Sequence, residues 1–255
     1  MPLIIIAILI ASTVTASEDM TVEKLISTVT RNAELPDKLA KKIIETASTE
    51  NSAFIADMLT CLSGERYLRE LVDKQHPLPQ NYTPNDLVML KEGNYQLIRA
   101  EPLRRTAAES LNEMAAAARA DGVTLVISSA YRSYDYQVKV YNRNVRDLGK
   151  KIADRESAQP GFSQHQTGLA VDFYPVSDSF ASTKAGRWLA ANASRFGWSI
   201  SFPKGYESST GYKWESWHYR YIGLDCASFI DNYFEGIQQY ALRFLYEYEL
   251  LDGSK

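Results

Sequence analysis

The stretch Ser163–Phe173, "SQHQTGLAVDF", decides how this chain is read. It carries His165, one of only three histidines in 255 residues, and Asp172 seven positions later. On a flat strand that odd separation would turn the two side chains to opposite faces. A turn between them brings both to one point, and Gly168 can adopt the backbone such a turn needs. The residues behind it, "LAVDFYP", read as a strand. The carboxylate then stands on a rigid element and the imidazole on the loop feeding it, which suits two of three metal ligands.

The third ligand is expected in "KWESWHYRY", residues 213–221, where His218 stands on an alternating segment with Glu215 three residues before it. A His/Asp/His set with an open fourth position is the pattern of a catalytic zinc site. Zinc makes a nucleophile of bound water near neutral pH. A carboxylate that is not itself a ligand then moves the proton to the leaving group, and Glu215 is the candidate. Each residue also has a bland reading: a lone histidine satisfied in a core or on a surface, and an aspartate that caps the end of an apolar run. Spacing alone leaves both readings open. His76, followed by Pro77, reads as a structural side chain beside a rigid loop.

Composition narrows the classes. The chain is 45% hydrophobic and 23% charged with a formal net charge of −3, ordinary for a soluble globular protein. With no basic run or arginine–aromatic interleaving, no nucleic-acid partner is expected. Residues 1–16 open "MPLIIIAILI" without a charged side chain and end in small residues. They read as a secretory signal peptide cleaved before Ser17, so the protein is expected in the periplasm or at the cell surface. Membrane contact follows only if that segment stays uncleaved. Export permits a disulfide between the only two cysteines, Cys61 and Cys226, although two free buried thiols fit equally well. Neither has a CxxC-type neighbour, so both are poor metal ligands.

Residues 17–74 show helical spacing and read as a small helical region too thin for a core of its own, packing on the main domain. The proline-rich "KQHPLPQNYTPNDL" marks the entry to a domain over residues 75–226. Within it, residues 101–120 read as a helix, "VTLVISSAYRS" as a strand buried on both faces, and "YQVKVYNRNVRDL" as a helix. "AGRWLAANASRFG" reads as a helix stopping at Gly197, followed by the strand "WSISF". In "WHYRYIG", Trp217, Tyr219 and Tyr221 should share one face and His218, Arg220 and Ile222 the other. Residues 227–255 read as a C-terminal packing helix, with a membrane-surface helix as the weaker reading. Helices and strands interleave with few parallel pairs, so the class is α+β: a small antiparallel sheet with flanking helices and an N-terminal helical appendage.

Three motifs together carry a resemblance. "SQHQTGLAVDF" resembles the SxHxxGxAxD motif of the VanY-type D-alanyl-D-alanine carboxypeptidases, zinc peptidases that share a fold with lysostaphin and the hedgehog signalling domain. "ESWHYRY" resembles their ExWHxRY motif and "SSAYRSYDYQ" their SGYRSYxxQ motif. "HPLPQNYTPNDLV" and "RWLAANASRFGWSISFPKGYESSTGY" are similar to further family stretches, so the likeness runs from about residue 72 to 224. It implies one zinc per chain on His165, Asp172 and His218, with Glu215 as general base and then acid. It implies Arg132 beside the scissile carbonyl or the substrate carboxylate, Ser163 and Gln137 bonded to the peptide, and Tyr212 lining the pocket. The implied substrate is a peptidoglycan stem peptide losing its C-terminal D-alanine. Within the fold, an LD-carboxypeptidase or a stem-peptide endopeptidase is the alternative; outside catalysis, a zinc-stabilised peptidoglycan-binding module. Two departures stand out. Ser129 replaces a usual glycine, which would cost strain if φ there is positive. Ser216 replaces a common proline and would loosen the turn between Glu215 and His218.

Overall fold

The structure, a computed structural model, describes residues 21–49 and 51–254. The signal-peptide reading of residues 1–16 lies outside the described residues. Among those described, no helix is long and apolar enough to cross a membrane.

The chain opens with helices α1 (Val22–Asn32), α2 (Asp37–Ala47) and α3 (Ala53–Ser63). Side-chain oxygens of Thr21 and Ser52 cap α1 and α3 by accepting from the amides of Lys24 and Ile55. Each helix buries one face, with Leu25, Ile26 and Val29 on α1 and Phe54, Met58 and Cys61 on α3. These faces do not pack on the sheet. They meet the last two helices, α9 (Leu224–Tyr233) and α10 (Gln238–Asp252), in a core of their own. Phe54 stands at its centre with its ring against Phe229, Tyr233, Phe234 and Phe244. A disulfide between Cys61 and Cys226 ties α3 to α9 across 165 residues. That resolves the alternative the sequence left open. Residues 22–63 and 224–252 thus form one helical unit.

The C-terminal segment differs from the single helix expected of it. α9 and α10 are separated at Glu235 and Gly236, both with positive φ (56° and 72°). Apolar spacing runs through this break because Phe234 and Ile237 stay buried on either side of it.

Between these helices lies a five-stranded sheet in the order β2 (Gln96–Leu97), β4 (Val126–Ser129), β5 (Ala170–Phe173), β7 (His218–Tyr221), β6 (Trp198–Ile200). Among the described residues only β2 and β4 pair in parallel. The strands β1 (Leu87–Met89) and β3 (Pro102–Arg104) form a separate antiparallel pair. α4 (Arg105–Ala120) and α7 (Lys184–Asn192) cover one face of the sheet and enclose a second core with Leu111, Met114, Ile127, Val171, Phe173 and Trp198. α5 (Tyr134–Leu148), capped by Ser133, and α6 (Lys150–Glu156) follow β4; the single-turn α8 (Glu207–Thr210) follows β6. β5, the central strand of the five, is buried along its whole length. β4 instead alternates half-buried and buried residues, so its apolar run does not mean burial on both faces. The alternation of β7 holds: Trp217 and Tyr219 join the sheet core, while Arg220 donates to the carbonyls of Leu68 and Glu70 and Ile222 enters the helical core.

Candidate metal centre

Gly168 does what the spacing demanded. It closes the 3-10 turn Gln164–Thr167 with φ at 70°, in the left-handed region. A side chain there would also collide, since a Cβ would lie 2.9 Å from Leu87 Cδ2. The turn holds His165 beside Asp172 of β5, and the β5–β7 register sets Asp172 opposite His218. Ser129 at the end of β4 pairs with Asp172 from the other side, and Arg132 follows it. Three separated pieces of sequence therefore meet through sheet register.

His165, Asp172 and His218 are all buried, with their ligand-type atoms within 4.8 Å of one another. His165 Nδ1 donates to the Ala130 carbonyl at 2.6 Å, which leaves a lone pair on Nε2, 3.1 Å from Asp172 Oδ2. His218 Nε2 faces Gln164 Oε1 at 3.2 Å, and its Nδ1 lies 3.0 Å from Asp172 Oδ1. With both outer nitrogens committed to acceptors, two imidazole lone pairs converge on a carboxylate. Such a set repels itself unless a cation or protons lie within it. Burial pushes the His218 imidazole towards its neutral form, against the pull of Asp172. Burial also acts to raise the Asp172 pKa, but His165 and His218 outweigh it and hold the carboxyl well below its ordinary range. Two imidazole nitrogens and one carboxylate oxygen are a donor set that zinc accepts.

Glu215 stands beside this group without joining it, Oε2 lying 3.8 Å from His218 Nδ1. Burial raises its pKa well above the carboxylate range, and the charge of Asp172 adds to the effect. The turn carrying it is held at both ends: the Glu215 amide donates to the Phe202 carbonyl at 3.0 Å, and the Glu215 carbonyl accepts from the His218 amide at 3.4 Å. Ser216 is buried inside that turn, with no hydrogen-bond partner for its hydroxyl among the described residues.

A cavity of about 190 Å³ opens over the group, lined by Arg132, Ser163, Tyr212 and Glu215 together with His165, Asp172 and His218. Arg132 reaches to 3.6 Å from Asp172 Oδ2. Ser163 is buried and does not cap the turn it begins. Tyr212 packs on Phe202, with the Lys74 ammonium 4.5 Å from its ring centre. Gln137 is placed differently from the peptide-binding role expected of it. It is wholly buried; its Oε1 accepts from Arg132 Nη1 at 2.8 Å and its Nε2 donates to the Ala158 carbonyl at 2.6 Å. Its contacts fix the guanidinium.

Ser129 is not among the described residues with positive φ, so the strain considered for it does not arise. Its hydroxyl accepts from Arg132 Nη2 at 3.3 Å and donates to Glu101 Oε2 at 3.2 Å. Glu101, which also accepts from the Ala130 amide at 2.6 Å, had no motif to announce it. Neither had Gln164, although it adjoins His165. His76 lies outside the group, its Nδ1 2.7 Å from Asp73 Oδ1 and its ring against Tyr246.

Residues 100–224 match the family model described as VanY, D-alanyl-D-alanine carboxypeptidase. YodJ of Bacillus subtilis (strain 168) is 35% identical over 198 residues, covering 72% of each chain. This chain belongs to the VanY family. A D-alanyl-D-alanine carboxypeptidase of Enterococcus faecalis (strain ATCC 700802 / V583) is 34% identical over 176 residues, 66% of this chain and 62% of that protein. Among solved structures, the LdcB LD-carboxypeptidase superposes with a TM-score of 0.59 at 38% identity, over 66% of this chain and 85% of that one. A VanY D,D-pentapeptidase in complex with Zn(II) gives 0.55 at 33% identity, over 68% of this chain and 96% of that one. Both are peptidase folds with the mixed helix-and-sheet architecture described above.

Proposed function

We propose that the protein is an exported, zinc-dependent carboxypeptidase that removes C-terminal D-alanine from peptidoglycan stem peptides. Its family is one of carboxypeptidases of the D-Ala-D-Ala or LD type. The observation that carries the zinc reading is the convergence of the His165 and His218 lone pairs on Asp172, with Glu215 alongside. His165 Nε2, His218 Nδ1 and an Asp172 oxygen would hold the metal. When bound, zinc supplies a Lewis acid that acidifies water and polarises the scissile carbonyl.

The chain's own groups do the rest. Glu215 takes a proton from the attacking water and returns it to the nitrogen of the departing D-alanine, so that water is added across the amide. Its raised pKa makes it a stronger base than a solvated carboxylate. Arg132, braced by Gln137 and Ser129, offers a fixed positive charge to the developing oxyanion or to the terminal carboxylate. Ser163 and Tyr212 line the peptide's path.

A second reading is LD specificity, removal of D-alanine from an L-centre, favoured by the likeness to LdcB. Incubation with stem pentapeptide and tetrapeptide, followed by mass spectrometry with and without a chelator, separates the readings. Loss of one alanine from the pentapeptide supports DD cleavage and loss from the tetrapeptide supports LD cleavage, each abolished by the chelator. No alanine lost from either peptide would overturn the carboxypeptidase reading and favour a binding module.

A further inference from the structure

His218 can serve as the third ligand through Nδ1 only if its proton sits on Nε2, and the structure holds a device that enforces this. Nε2 faces Gln164 Oε1 at 3.2 Å. A carboxamide presents either its oxygen or its amino group, and the wrong one would place the lone pair on Nε2 and the proton on Nδ1. Gln164 is not free to choose. Its Oε1 accepts from Ser201 Oγ at 2.6 Å, and its Nε2 donates to Gln238 Oε1 at 3.3 Å. Gln238 is oriented in turn, because its Nε2 donates to the Ser199 carbonyl at 3.3 Å. A backbone carbonyl can only accept. Starting from that fixed acceptor, each carboxamide is polarised in one sense, until Gln164 Oε1 faces His218 Nε2 as an obligatory acceptor. Gln164, Gln238, Ser201 and His218 are all buried, so no bulk water competes for these bonds.

We infer that Gln238 and Gln164 are positioning residues that set the His218 tautomer for metal binding. Gln238 opens α10, beyond residues 100–224 that match the family model, so the helical unit of residues 22–63 and 224–252 reaches the metal centre through it. The inference rests on the metal reading of the site, and its test separates the two.

Zinc affinity is measured on folded, metal-stripped protein by competition with a chromophoric chelator. Wild-type protein should bind one zinc; failure to do so would remove the metal reading itself. Gln164→Leu should weaken binding roughly 10- to 100-fold and Gln238→Leu about tenfold, the range for partners behind a metal ligand. Gln164→Glu, which still offers an acceptor to Nε2, should restore affinity relative to Gln164→Leu. Gln239→Leu is the control: equally buried one residue along, Gln239 donates to Asp73 instead, so its loss should lower stability without changing zinc affinity. Wild-type affinity in Gln238→Leu, or an equal loss in Gln239→Leu, would overturn the role of Gln238. Should Gln238→Leu fail to fold, long-range 1H–15N spectra of zinc-loaded wild-type protein decide. The account expects His218 protonated on Nε2 and metal-bound through Nδ1, and the opposite assignment would overturn it.

Discussion

Replacing Asp73 by asparagine should destabilise the protein in a pH-dependent way. Asp73 lies where the helical unit meets the entry to the sheet domain and is 3% exposed. Its Oδ1 accepts from the amides of Gln75 (2.9 Å) and His76 (3.1 Å) and from His76 Nδ1 (2.7 Å). Its Oδ2 accepts from Gln239 Nε2 at 2.6 Å and faces Arg243 Nε at 3.5 Å. Burial alone would raise the pKa. The bonds from His76 and Gln75, with the charge of Arg243, outweigh it and hold the group at about 2 against an ordinary 3.8. A depressed folded-state pKa gives stability that is fully present above the unfolded value and is lost as pH falls through the folded one. The difference corresponds to about 2.5 kcal/mol at pH 7 and roughly half of that at pH 3. Asparagine keeps the volume but turns a donor towards Gln239 and Arg243, so the pH 7 loss should be at least this large. Urea unfolding followed by circular dichroism at pH 7, 5 and 3 measures it. The gap between wild type and Asp73→Asn should hold from pH 7 to 5 and narrow at pH 3. A gap that is small at pH 7, or constant down to pH 3, would refute the reasoning.

Reducing the Cys61–Cys226 bridge should lower stability by about 2–5 kcal/mol, because it closes a long loop in the unfolded chain; thermal melts with and without reductant read this out. Gly168→Ala should cost about 1–3 kcal/mol from its left-handed backbone, with the Leu87 side chain shifting aside to admit the methyl. Because the same turn carries His165, chelator competition should also show weaker zinc binding in that variant.

How far the sequence reveals this molecule depends on how local each feature is. The cluster of His165, Asp172 and His218 was legible because its residues lie in two short motifs, and Gly168 explained the awkward spacing inside one of them. The alternation of "WHYRYIG" correctly separated His218 from the sheet core of Trp217 and Tyr219, since period-two patterning is a property of the strand itself. β1, β2 and β3 escaped notice because two or three residues carry no readable period. The break between α9 and α10 escaped for the opposite reason: apolar spacing continues across Glu235 and Gly236 while the backbone turns. Glu101, Gln164 and Gln238 were invisible as site-supporting residues because their partners lie 29, 54 and 74 positions away, brought near only by the finished fold. The packing of the first helices on the last ones is non-local in the same sense. Cys61 and Cys226 were the only local hint of it.

The measurement that bears most directly on the account is the zinc content and turnover of Glu215→Gln, purified beside wild type and assayed on the stem peptide that wild type cleaves. Glu215 lies beside the ligand group without belonging to it, so the variant should keep one zinc per chain while turnover falls about 100- to 10,000-fold, the loss of a general base. A variant that loses its zinc, or one that keeps wild-type turnover, would contradict the assignment of His165, Asp172 and His218 as the metal site and Glu215 as its base.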